Sequence, residues 1–112
     1  MRNYIYKFAV VVLVLGILLN ACSKSTDPDH SIRIKNEYAE TINNLKVGPA
    51  NYGNVISGSL TGYIHVNEGA NTVSGSTSLG VVISGTVSVS GKGTHRWTLT
   101  IQSTGNVVIN ED

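Results

Sequence analysis

With 112 residues, eight Lys or Arg and seven Asp or Glu, the chain has room for one domain and lacks the basic stripe that nucleic-acid binding needs. Its single cysteine excludes an internal disulfide, and no zinc-type Cys/His spacing takes its place. A domain this small buries only about 60% of its unfolded surface, so well-formed packing has to hold it together.

The amino terminus reads as a targeting segment. Arg2 and Lys7 flank the approach to residues 8–19, which carry no polar side chain; a charged start and a short apolar run describe a secretory signal. As a helix the run would rise about 18 Å, short of the roughly 30 Å hydrocarbon core of a bilayer. A permanent membrane span is therefore the poorer interpretation. Leu19-Asn20-Ala21-Cys22 closes the run with the only cysteine.

This closing tetrapeptide resembles the lipobox of bacterial lipoproteins, with Leu19 at minus three and Ala21 at minus one. Asn20 departs from the usual small or hydroxyl residue. The resemblance implies a signal peptide over residues 1–21, cut by signal peptidase II between Ala21 and Cys22. It also implies a diacylglyceryl group on the Cys22 thiol and a further acyl chain, such as palmitate, on its amine. One acyl chain binds a membrane only marginally, at about 0.8 kcal/mol per buried methylene, whereas two or three anchor firmly. Ser23 stands where an aspartate marks inner-membrane retention in enteric bacteria, which fits the outer membrane better than the inner. Cleavage removes Arg2 and Lys7, leaving six Lys or Arg against seven Asp or Glu, a net charge of −1 in place of +1.

Residues 22–31 are expected to form the acylated cysteine and a solvated tether, since no large apolar side chain follows Cys22 there and Pro28 interrupts any regular structure. His30 is expected to be solvated within it. Asp27 and Asp29 are too isolated to form a cation site.

Residues 32–112 read as strands throughout. Ile32 and Ile34 alternate with Arg33 and Lys35; Leu45 and Val47 mark a second strand ended by Gly48-Pro49, and residues 55–57 a third. Leu60, Gly62, Ile64 and Val66 alternate with Thr61, Tyr63 and His65, and Asn67-Glu68-Gly69 then reads as a hairpin turn into residues 71–76. Alternation is clearest over residues 81–89, with Val81, Ile83, Gly85, Val87 and Val89 on one face, and over residues 95–101, with His95, Trp97, Leu99 and Ile101 together. Gly91-Lys92-Gly93 supplies a hairpin reversal between these two, and Thr104-Gly105-Asn106 leads to a last strand at residues 107–110. No apolar stripe recurs at helical spacing. Seven or eight short strands predict an all-β fold, a single small antiparallel β-sandwich. Residues 58–73 resemble the strand-turn-strand of secreted Ig-like and transthyretin-like domains, which implies the same architecture.

Chemistry-bearing patterns are sparse. Gly91-Lys92-Gly93-Thr94 lacks the spacing, the hydroxyl residue and the helix of a phosphate loop. No G-x-S-x-G elbow occurs, and Gly58-x-x-x-Gly62 lies outside any apolar helix. Histidine suits both metal binding and proton transfer, so His65 and His95 are the candidates, with Glu68 or Glu111 as a third ligand. The competing expectation places His65 on the surface beside Tyr63, and His95 at the mouth of the core near Trp97. Trp97 is expected in the core with its indole N–H partnered; exposed instead, it would form a ligand-stacking platform with Tyr38, Tyr52 and Tyr63.

Residues 69–91 contain no charged side chain. Because edge strands are normally guarded by charge, proline or bulges, the strand at residues 81–89 is expected to be central or else covered by a partner strand. The functional expectation is a small membrane-anchored envelope lipoprotein acting as a non-catalytic binding or structural module. Its partners would be the membrane, through Cys22, and an envelope protein or glycan, with no nucleic acid, metal or cofactor. Two alternatives are a carbohydrate-binding accessory protein and a metal-dependent hydrolase.

Overall fold

The computed structural model describes residues 27–112. The lipobox, including Ala21 and Cys22, lies outside the described residues. Eight strands follow in chain order: β1 Asp29–Asn36, β2 Ile42–Val47, β3 Ala50–Val55, β4 Ile64–Val66, β5 Gly69–Ser76, β6 Val82–Val89, β7 Thr94–Ile101 and β8 Val107–Glu111. They form two four-stranded sheets, ordered β4-β1-β7-β8 and β3-β2-β5-β6. Among the described residues the fold is all-β, a small sandwich.

The period-two side-chain alternation of a strand decides what lies inside. The first sheet contributes Ile32, Ile34, Val66, Leu99 and Ile101 to the core, and the second Ile42, Leu45, Val47, Ala50, Val55, Val73, Ile83, Val87 and Val89. Each fully buried Val, Leu or Ile stabilises the fold by roughly 1.5–3 kcal/mol. Gly85 is an inward glycine that lets the sheets approach: a Cβ there would stand 2.6 Å from the Val107 Cγ2 across the sandwich.

Pairing is antiparallel except between β1 and β7, which run parallel in unbroken register from Asp29 opposite Thr94 to Asn36 opposite Ile101. The β2–β3 reversal at Gly48 (φ 54°) and the β7–β8 hairpin at Gly105 (φ 90°) fall where the turn residues place them.

Several expectations need correction. The tether is shorter than residues 22–31, because β1 already begins at Asp29, whose N–H bonds the Gly93 carbonyl at 3.0 Å. His30 is 1% exposed, not solvated; it continues the inward set of Ile32 and Ile34 by one step.

The third strand lies at Ala50–Val55, ahead of residues 55–57. Gly58 (φ 80°) instead turns the chain, its N–H bonding the Asn36 carbonyl at 2.7 Å. β4 keeps only three residues. Upstream of it the Thr61 hydroxyl takes the Ile34 N–H at 2.9 Å in place of a ladder bond.

Asn67-Glu68-Gly69 and Gly91-Lys92-Gly93 are not hairpin turns. Each carries the chain from one sheet to the other, since β4 and β5, like β6 and β7, lie in different sheets. Finally, β6 is not central. Among the described residues it ends its sheet, with β5 as its only strand neighbour.

Candidate functional site

At one end of the sandwich, β1 and β7 set His30 beside His95 in register. The two imidazoles stack with ring centroids 5.4 Å apart, and Trp97, two residues along β7, completes the cluster. The Trp97 indole N–H donates to His30 Nδ1 at 3.1 Å. That nitrogen must present its lone pair, so the His30 proton sits on Nε2, 3.4 Å from Glu68 Oε1. Glu68 Oε1 also accepts the Gly91 N–H at 3.0 Å, fastening the inter-sheet connection over the cluster.

His95 has the opposite character. Its Nδ1 lies 2.6 Å from Glu111 Oε2 and its Nε2 2.7 Å from the Lys92 carbonyl. Both partners are acceptors, so the arrangement favours the imidazolium form, in which both ring nitrogens donate. The Glu111 carboxylate, then the Lys92 carbonyl, raise the His95 pKa above its ordinary value, against a smaller opposing effect of burial.

Tyr63 and His65 belong to the other face of the same sheet. The Arg33 and Arg96 guanidinium carbons each lie over the Tyr63 ring, 5.1 Å from its centroid, and the Tyr63 hydroxyl donates to Asp112. Thr98 also donates to Asp112, at 2.6 Å. These two hydroxyls, Thr98 first, hold the Asp112 carboxyl below its usual range, with help from Arg33 and Arg96. The hydrogen bond to Asp112 raises the Tyr63 pKa in turn. His65 pairs with Asp29 at 3.3 Å.

Register thus separates the candidates. His65 stands opposite Ser31, which stands opposite Arg96, while His30 stands opposite both Val66 and His95. Strand alternation puts His65 and His95 on opposite faces, so they share no site. His95 instead meets His30, which lies in the segment expected to be tether. The signal for it was the inward alternation of β1 carried back one step from Ile32. Among the described residues no three His, Cys, Asp or Glu converge as a metal set, and the surface carries no pocket.

The aromatic rings have internal duties as well. Trp97 is half-buried against the core and not within it, with its indole N–H partnered as expected, and Tyr38 and Tyr52 pack against the core too. The Tyr52 hydroxyl donates to the Ile32 carbonyl at 2.6 Å, and burial raises its pKa. Among the described residues, Tyr63 carries the Arg33 and Arg96 guanidinium groups over its ring, while Tyr38, Tyr52 and Trp97 pack against the core.

What remains unpartnered is a backbone edge. β6 pairs with β5 over eight consecutive residues without a register shift, from Val82 opposite Ser76 to Val89 opposite Gly69. Among the described residues no other strand, turn or side chain bonds to it. The outward side chains are Val82, Ser84, Thr86 and Ser88, all exposed, and none is charged. The β5–β6 turn presents Leu79, 79% exposed, next to Val82, 70% exposed.

The remaining edges are protected in the usual ways. β4 is three residues long, β3 has irregular register against β2, and β8 ends in Glu111. The described residues therefore form an all-β sandwich with one long, uncharged, regular open edge. No family model matches the chain, and no curated protein was found that matches it.

Proposed function

We propose that the mature chain is a small lipid-anchored protein of the bacterial envelope, held to the outer membrane through Cys22, whose sandwich is a non-catalytic binding or structural module. The anchor rests on Arg2 and Lys7, the apolar residues 8–19 and the Leu19-Asn20-Ala21-Cys22 closure. The module reading is carried by one observation: among the described residues, the uncharged strand β6 occupies a sheet edge with β5 as its only strand neighbour. Strand addition to such an edge supplies main-chain hydrogen bonds for affinity and alternate side chains for selection. The engagement of His30, His95, Glu68 and Glu111 with one another and with nearby groups supports a structural duty for that cluster.

Two measurements test this. Mass spectrometry of the purified protein is expected to find chains beginning at an acylated Cys22, and an intact Met1 or a free thiol would remove the anchor. A photoreactive side chain at position 86 is expected to give an adduct in intact cells, and one at position 72, on the neighbouring strand, to give none. Absence of any adduct from position 86 would remove the interaction role.

A further inference from the structure

Resting on the module reading above, we infer that the partner strand at the β6 edge is β6 of a second copy of this chain, added antiparallel about a two-fold axis. In such an isologous pair residue i meets residue j and residue j meets residue i. A strand pairs well with itself only if its own side chains tolerate one another. β6 meets that condition. With the dyad through Thr86, Ser84 faces Ser88 and Ile83 faces Val89, so hydroxyls meet hydroxyls outside and apolar groups meet inside. Like charges directly opposite one another destabilise strand pairs, whereas hydroxyl pairs contribute favourably; β6 has the second and none of the first.

The same register addresses the exposed apolar end of the strand. Val82 then faces Ser90 of the other copy and Val81 faces its Gly91, so both exposed valines meet uncharged residues. A foreign segment selected by charge would find nothing on β6 to recognise, while an identical strand matches its length, alternation and twist. Regular pairing of β5 with β6 leaves no bulge to spoil continuation of the sheet. The result is one eight-stranded sheet running through both copies.

An edge of eight residues falls below the roughly 1,000 Å² that a stable protein interface usually buries. The dimer therefore dissociates on dilution, and confinement to one membrane surface favours it by raising the effective concentration.

The test uses the full chain, extracted in detergent and followed by sedimentation equilibrium with the detergent density-matched. The unaltered chain is expected to show a concentration-dependent dimer. Thr86→Lys and Thr86→Glu, each placing a charge against its own copy, are expected to weaken association about ten-fold or more. An equimolar mixture of the two variants is expected to recover it, since opposite charges then face each other. A clash or a folding defect would not be rescued by mixing.

In membranes, oxidation of a Thr86→Cys chain is expected to give a disulfide-linked homodimer well above that of the unaltered chain and of a Thr72→Cys control. A monomer at every concentration, with no homodimer from Thr86→Cys, overturns the proposal. A cross-link from position 86 to a protein of different mass also overturns the second-copy assignment, yet leaves the interaction module standing. No cross-link of any kind removes both.

Discussion

His95 shows how one side chain ties stability to acidity. Its folded pKa is raised by Glu111 and the Lys92 carbonyl, so its contribution is fully present below the ordinary value of 6.5 and is lost as pH rises through the folded value. Asp112 has the opposite sign. Its lowered pKa gives stability that is present above the ordinary 3.8 and lost as pH falls through the folded value. Urea midpoints are therefore expected to decline from slightly acid to alkaline pH, and His95→Gln to flatten that decline while leaving the acid-side loss in place. His30 is a separate case because it is buried and bonded on both nitrogens. His30→Ala removes the acceptor of the Trp97 indole and leaves a cavity, at an expected cost of about 2–4 kcal/mol in chemical denaturation. A change below about 0.5 kcal/mol would show that the cluster contributes little to folding.

Among the elements, β6 depends on a missing side chain. A Gly85 Cβ would press on Val107, a β-branched residue with little room to move. Gly85→Ala is thus expected to destabilise by about 1–3 kcal/mol through overpacking, and Val107→Ala in the same chain to recover part of that loss. Unchanged thermal stability in Gly85→Ala would mean the sheets are further apart than described. The face each late strand turns inward was legible from residue spacing alone, because Ile83, Val87 and Val89, like Leu99 and Ile101, obey the two-residue period. Lateral neighbours were not. Nothing local in residues 67–69 or 90–93 distinguishes a reversal within a sheet from a step to the opposite sheet; that choice is made by contacts between distant residues. His30 escaped notice for a related reason, since a polar ring at the margin of a hydrophilic stretch looks solvated until Trp97 and Glu68 arrive from elsewhere in the chain. Of the candidate residues, His95 beside Trp97 and His65 on the surface were legible. The β6 edge was visible only as an absence of charge.

For the molecule as a whole, the placement of β1 has a mechanical side. This strand enters the fold at Asp29 and lies inside its sheet, bonded to β4 on one side and over eight residues to β7 on the other. At most about 3.6 Å per residue separates Cys22 from that entry point when the segment is extended, so the acyl group proposed for Cys22 would stay within roughly 25 Å of the domain. Suppose the lipid moves one way while the rest of the sandwich is held. The pull then runs lengthwise down a strand gripped from both sides, and its cross-links must slide and yield together instead of opening one after another like a zip. Under the proposed anchor, the amino-terminal stretch would thus lead into a strand held by neighbours on both sides.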